Sequence, residues 1–351
     1  MSRNHSFRVP ASTSNLGAGF DALSLALNRY LRVTLEIEPF PSSQRRGGRA
    51  DSQRADSADG VVSSGKMFAE LTTPALRATP PLRGGEWPDF EIIASGIDAA
   101  SIPTTSDNLI LRVAKSVASA RNRPLPGFRM TIDNEIPLAR GMGSSAAAII
   151  AGITCYELAA KERLSEKDIF RHAHEFESHP DNLAAALRGG LVVATESAEG
   201  GVVIAKLTVA EGATAIVVIP GFELSTEKAR AVLPQTYSRR DAVYNIQRSA
   251  LTVAALTTGN WPLLREAMRD RIHQPYRAPL IPGFEEILAL DLPGLVGVSL
   301  SGAGPTVFAL AKPADAEETG RAIANVFEKY GVSAIPHFVN IDTVGRYIEP
   351  S

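Results

Sequence analysis

Residues 137 to 148 read PLARGMGSSAAA, a run of small residues that passes into an alanine-rich apolar stretch. Glycine costs about 1 kcal/mol relative to alanine inside a helix, so Gly141 and Gly143 mark a loop ahead of a helix. Glycines let backbone approach a ligand closely, and the helix that follows offers unpaired N–H groups and the positive end of its dipole. Phosphate is the natural occupant of such a place. Ser144 and Ser145 add hydroxyls able to hydrogen-bond phosphate oxygens or ligate Mg²⁺. The loop lacks the Gly-Lys-Ser/Thr ending of a Walker A motif and is not G-x-G-x-x-G, so on spacing alone a tight turn into a buried helix stands as the alternative.

Two other segments carry groups of the same kind. VPASTSNLGAGFDALSLAL places Asn15 and Asp21 around a Gly-x-Gly turn, and ESHPDNLAAALRGG places Glu177, His179, Asp181 and Asn182 at the mouth of a second small-residue helix. Each has a plainer reading as well. Asp21 suits the N-cap of a helix over ALSLALN, Glu177 a solvent-facing helical carboxylate, and His179 a hydrogen-bonded structural histidine.

The elements that must position these groups can be read from periodicity. LRVTLEIEP alternates from Leu31 onward and reads as a strand, as do DFEIIASG and GFRMTIDNEIP. SDNLILRVAKSVASA reads as a helix opened by Ser106 or Asp107, and SEKDIFRHAHEFES as another. GGLVVATES and GVVIAKL resemble paired strands, and ATAIVVIPG a buried one. A second set follows from about residue 209. It has helices at RDAVYNIQRSALTVAALTTG and WPLLREAM, strands at GLVGVSLSG and VFALA around the turn AGPT, a helix over ADAEETGRAIANVFEKYG and a last strand at SAIPHFVNI. Mixed strands and helices of this kind point to an α+β layered class.

At 351 residues the chain exceeds one typical domain of about 150 residues. From Pro41 to about residue 63 the sequence is Ser, Gly, Arg and Asp with almost no apolar residues, and reads as a flexible surface insertion. Lysine and arginine total 36 against 38 aspartate and glutamate, a formal charge of −2 with no footprint for nucleic acid or an anionic membrane. Cys155 is the single cysteine, with no partner for a disulfide or a thiolate metal site, which fits a reducing cytoplasm. The N-terminus shows no signal-peptide pattern. SSAAAIIAGITCYELAA, interrupted by Glu157, reads as a buried helix and not a membrane span.

Taken in order with GVSLSGAGPTVFAL, these motifs resemble the superfamily of galactokinase, homoserine kinase, mevalonate kinase and phosphomevalonate kinase, and homoserine kinase most closely. The resemblance spans the chain apart from an insertion at 41 to about 88. It implies a two-domain kinase, an N-terminal domain (1–208) like the second domain of ribosomal protein S5 and a ferredoxin-like C-terminal domain (209–351), with the active site between them. It implies transfer of the ATP γ-phosphate to the side-chain hydroxyl of L-homoserine, a step of threonine synthesis. A sister kinase acting on a mevalonate-like alcohol and a non-catalytic nucleotide sensor are the rivals.

Residue by residue, the resemblance implies a nucleotide site of Asn108 and Pro137, Leu138, Ala139, Arg140, Gly141, Met142, Gly143, Ser144 and Ser145, with Ser145 and Glu177 on Mg²⁺. For Asn108 helix initiation is the other reading, and for Arg140 a surface position. Asp181 would take the substrate ammonium, and Arg230 and Arg277 its carboxylate in the paired geometry that guanidinium favours. Asn15 and Asp21 would contact the reacting hydroxyl, His179 and Asn182 would line the pocket, and Gly302 would bring a second-domain turn beside it. Homoserine kinases are thought to work by alignment, so no general base is assigned. Relatives often dimerise, which makes a homodimer an expectation.

Overall fold

The structure is a computed structural model that describes residues 3–37, 90–198 and 201–350. The insertion at 41 to about 88 lies outside the described residues.

The chain opens with β1 (Arg3–Asn15), turns at residues 16–18 and returns as β2 (Gly19–Ile37), antiparallel to it. The helix expected over ALSLALN is instead the first half of β2. Leu23, Leu25 and Leu27 are spaced by two and all buried, which is the strand period and cannot line one helix face. β3 (Phe90–Gly96) is followed by α1 (Leu109–Ala120) and β4 (Phe128–Asn134), which pairs in parallel with β3 and antiparallel with β2. The glycine loop then leads to α2 (Ser144–Ala160), whose residues are apolar all round and mostly buried. α3 (Glu166–Ala173), α4 (Pro180–Arg188), β5 (Leu191–Glu196) and β6 (Val202–Leu207) complete the first half, with β5 antiparallel to β2 and to β6.

β7 (Thr214–Pro220) starts the second sheet. After it come α5 (Thr226–Ala231), α6 (Arg239–Thr258), α7 (Leu264–Ala267), α8 (Gln274–Arg277) and α9 (Phe284–Ala289). β8 (Leu295–Leu300), β9 (Val307–Ala311), α10 (Ala316–Lys329) and β10 (Ala334–Val339) close an antiparallel four-stranded sheet ordered β10-β7-β9-β8. α10 packs on β10 and β7 with an apolar face that includes Ile323, Ala324 and Phe327.

The tail runs from the second sheet back to the first. β11 (Tyr347–Ile348) returns to the first sheet and pairs with β1, making that sheet seven-stranded. Arg346 in this tail pairs with the buried Glu157 of α2, which accounts for a charge inside an otherwise apolar helix. Asp342 secures the same stretch, accepting from Tyr30 Oη at 2.8 Å and from the Val344 and Gly345 amides. The last strand therefore completes the first sheet. Among the described residues no helix is long and apolar enough to cross a membrane.

Candidate active site

The glycine loop sits where the two sheets meet. Gly141 (φ +75°) and Gly143 (φ +70°) both occupy the left-handed region, and a Cβ on them would lie 2.2 Å from Ser301 O and 2.1 Å from Ser12 Oγ. No side chain larger than hydrogen fits at either position. Ser12 N donates to Met142 O at 3.1 Å, and Ser301 Oγ donates to Gly141 O at 2.7 Å, so β1 and the turn after β8 clamp the loop from both sides. α2 then begins at Gly143 with no side-chain cap. Its first amides are left for a ligand acceptor, beside the hydroxyls of Ser144 and Ser145.

That helix start borders a cavity of about 360 Å³. Asn15, Asp21, Ala139, Gly141, Gly143, Ser144, Ser145, Glu177, His179, Asp181, Asn182, Arg230, Arg277 and Gly302 all line it. The motifs separated along the sequence thus share one space.

Other residues expected in the nucleotide site do not line the cavity. Asn108 is the N-cap of α1, a role sequence had given to Ser106 or Asp107. Its Oδ1 accepts from Ile110 N and Leu111 N at 3.0 and 3.3 Å, and its Nδ2 donates to Pro103 O at 2.7 Å, which leaves no amide oxygen turned outward to read a base. Arg140 turns away from the cavity to Asp98 Oδ2 and the Leu138 carbonyl, each at 3.1 Å. Leu138 N donates to the same Asp98 carboxylate at 2.9 Å. Pro137 and Met142 are buried and pack the base of the loop.

Within the cavity wall the charged groups are already arranged against one another. Arg230 meets Asp21 through both terminal nitrogens, Nη1 to Oδ2 at 3.2 Å and Nη2 to Oδ1 at 2.8 Å. Asp21 therefore caps no helix, since it lies at the start of a strand. His179 Nδ1 is 2.8 Å from Glu177 Oε1. Burial pushes the Glu177 carboxyl up, but the hydrogen bond and charge of His179 outweigh it and hold the group below its usual range. Asp181 is 2% exposed and accepts from Asn182 N at 2.7 Å; burial, and then the Asp21 charge, push its carboxyl up to about 6.

Asn15 and Asn182 are anchored by their own amides. Asn15 Oδ1 accepts from Asp21 N at 3.1 Å and Nδ2 donates to Gly302 O at 2.9 Å, so this side chain stitches the β1–β2 turn to the second sheet. Asn182 accepts from Ser12 Oγ at 2.7 Å and donates to Ser14 Oγ at 3.0 Å. Arg277 is 1% exposed. Its Nε donates to Ala229 O at 3.0 Å, while Nη1 reaches Gly302 O at 3.0 Å and lies 3.2 Å from His273 Nδ1. The Nε hydrogen and both Nη1 hydrogens are engaged, which leaves Nη2 as the free end. One terminal nitrogen of Arg277, Nη2, is therefore left toward the cavity, where a paired two-nitrogen geometry was expected. Burial, and then Arg230, bring its guanidinium down to about 10, still charged at neutral pH.

Sequence reasoning passed over three contributors. Phe20 lies under both guanidiniums, 5.4 Å from Arg277 and 5.6 Å from Arg230, and stacks on His273 at 5.2 Å. Asp270 organises the turn before α8, accepting from the Ile272, His273 and Gln274 amides. The one available signal was His273 itself, at helical spacing from Arg277 in HQPYR.

Comparison with known proteins fits this geometry. Residues 108–190 match the family model for the GHMP kinases N terminal domain, and residues 252–329 match that for the GHMP kinases C terminal domain. The homoserine kinase of Solibacter usitatus is 38% identical over 300 residues, 86% of this chain and 83% of that protein. That of a Picosynechococcus species is 35% identical over 346 residues, 97% of this chain and 98% of its own length. The crystal structure of homoserine kinase from Cytophaga hutchinsonii superposes with a TM-score of 0.74 at 24% identity, covering 99% of this chain and 97% of that one, and supports the fold. With sequence likeness running from end to end and the two kinase domains matched in order, the chain belongs to the homoserine kinase family of the GHMP kinases.

Proposed function

We propose that this protein transfers the γ-phosphoryl group of ATP to the side-chain hydroxyl of L-homoserine, giving O-phospho-L-homoserine. One observation carries the reading: a single cavity joins the uncapped start of α2 to a wall bearing both a buried carboxylate, Asp181, and a buried guanidinium, Arg277. The first suits a polyphosphate, and the second suits an amino acid, which brings both charges at once.

In this reading the loop amides from Gly141 to Ser145 hold the nucleotide's phosphates. Asp181 faces the substrate ammonium, and Arg230 with Arg277 Nη2 takes the carboxylate. Phosphoryl transfer through a loose transition state asks mainly for alignment and charge neutralisation, so no side chain is assigned as general base. The Asp21–Arg230 pair gives the pocket wall internal charge balance.

The donor chemistry fits Mg²⁺. Glu177 is an ionised oxygen donor, Ser145 is an exposed hydroxyl on the same cavity, and magnesium typically takes one or two carboxylates together with phosphate oxygens. When bound, the ion would neutralise charge on the transferring phosphoryl group. The seam at residue 208 and assembly as a homodimer belong to the same proposal, as does function in the cytoplasm.

The test is ADP release with MgATP across a panel of alcohols that includes L-homoserine and mevalonate. Turnover well above the alcohol-free rate with L-homoserine is expected. Preference for mevalonate would replace the acceptor, and nucleotide binding with no turnover on any alcohol would indicate a sensor.

A further inference from the structure

His273 is fully buried, lines no part of the cavity, and lies four residues before Arg277 at the start of α8. Its Nε2 is 2.8 Å from the carbonyl oxygen of Gly17. A carbonyl only accepts, so Nε2 carries the hydrogen and the neutral ring's lone pair is on Nδ1. That lone pair points at Arg277 Nη1, 3.2 Å away. The tautomer is thus set by the β1–β2 turn of the first sheet and read by an arginine of the second. Asp270 Oδ2 stands 3.6 Å from Nε2, and Phe20 stacks on the ring at 5.2 Å with an interplanar angle of 22°.

We propose that His273 is a positioning residue: acting through Nδ1, it fixes the rotation of the Arg277 guanidinium so that Nη2 alone faces the acceptor's carboxylate. Two backbone carbonyls, Ala229 O and Gly302 O, already engage Nε and one Nη1 hydrogen. The remaining Nη1 hydrogen has the imidazole as its acceptor. Removing that acceptor leaves a buried charged donor unsatisfied and frees the guanidinium to turn toward another partner. The pocket's carboxylate grip would then loosen while the nucleotide loop, held by Ser12 and Ser301, stays as it is.

The inference rests on the proposed amino-acid acceptor, so its test has one arm that depends on that reading and one that does not. His273→Asn keeps an amide oxygen near the Nδ1 position, while His273→Gln places its amide near Nε2 and keeps only the Gly17 tether. With L-homoserine and MgATP, His273→Gln is expected to raise KM for homoserine about tenfold, with KM for ATP and kcat within about twofold of wild type. His273→Asn is expected to recover most of that loss. A role confined to packing would instead affect both variants and both substrates together. The independent arm is the side-chain ¹⁵N–¹H signal of Arg277 in the full-length protein, assigned with Arg277→Lys. It should be sharp and slow to exchange in wild type and His273→Asn, and broadened in His273→Gln. Equal protection in all three, whether or not homoserine is turned over, would overturn the assignment. Loss of homoserine turnover by wild type with the NMR pattern intact would instead overturn only the acceptor.

Discussion

Asp181 is a carboxylate with almost no solvent contact, pressed by the Asp21 charge, and its carboxyl titrates near 6 where an ordinary aspartate titrates near 3.8. Linkage fixes the sign. A raised folded-state pKa leaves stability intact below the unfolded value and removes it as pH climbs through the folded one. Asp181→Asn should therefore be more stable than wild type at pH 8 by on the order of 2 kcal/mol, with the difference closing toward pH 4 in urea unfolding series. The same variant should lose most of its affinity for homoserine. A stability gain that was constant with pH would show that Asp181 is not ionised at a cost. In wild type, kcat/KM for homoserine should fall as pH drops below about 6, because the protonated acid no longer balances the ammonium.

Part of this residue scale was legible. Gly141, Gly143 and Ser144 are marked by type and spacing, Glu177 and Asp181 by their place at the mouth of a small-residue helix, and Arg230 only by the family resemblance; the cavity collects them. Phe20 and His273 were not, because their roles exist only through contacts such as His273 with Gly17, 256 residues apart in sequence.

At the scale of elements, the loop before α2 works by close approach on both sides. Gly143→Ala would place a methyl 2.1 Å from Ser12 Oγ at a φ of +70°, where a Cβ costs about 1–2 kcal/mol before any clash. It should raise the Kd for ATP at least about tenfold in a fluorescent-nucleotide titration while leaving the far-ultraviolet circular dichroism unchanged. Nucleotide affinity at the wild-type level would contradict the clamped loop.

The long periodic helices and the apolar strands of the second half could be read ahead of the structure. β1 could not, because ASTSN is small and polar and resembles a loop. As a buried strand it pairs along its length with β2 and its serine hydroxyls find partners, Ser12 Oγ on Asn182 and Ser14 Oγ from the same amide, while the Thr13 carbonyl takes Ser24 Oγ and the Thr13 hydroxyl is buried without a partner among the described residues. The first half of β2 was misread as a helix for a related reason. Alanine and leucine favour helices, and sheet pairing on both sides overrode that preference.

Across the whole molecule, the two sheets are joined by more than adjacency. Asn15 to Gly302, Ser301 to Gly141, Arg29 Nη2 beside His337 Nδ1 at 2.8 Å, and the tail strand β11 all cross between the halves. The tail's hold on α2 is an ion pair between Arg346 and Glu157, both almost wholly buried. Burial, and then the neighbouring arginine Arg163 against the pull of Glu157, bring Arg346 below its ordinary value. Arg346→Met would leave Glu157 buried without its partner and should lower unfolding free energy by about 3 kcal/mol. KM values should stay near wild type at temperatures where the fold persists. Unchanged stability would mean that the tail does not brace α2. The tail was invisible to sequence reading because Tyr347 and Ile348 form a strand only by joining an edge that lies at the other end of the chain.

The most direct measurement is ³¹P NMR of the purified protein with MgATP and L-homoserine, followed to completion. The γ-phosphate signal should decline as ADP and a new phosphomonoester resonance grow in equal amounts, and the new resonance should couple to the side-chain methylene of homoserine. Inorganic phosphate in place of that phosphomonoester, or an unchanged ATP spectrum under conditions where nucleotide binding is demonstrated, would contradict phosphoryl transfer to this acceptor.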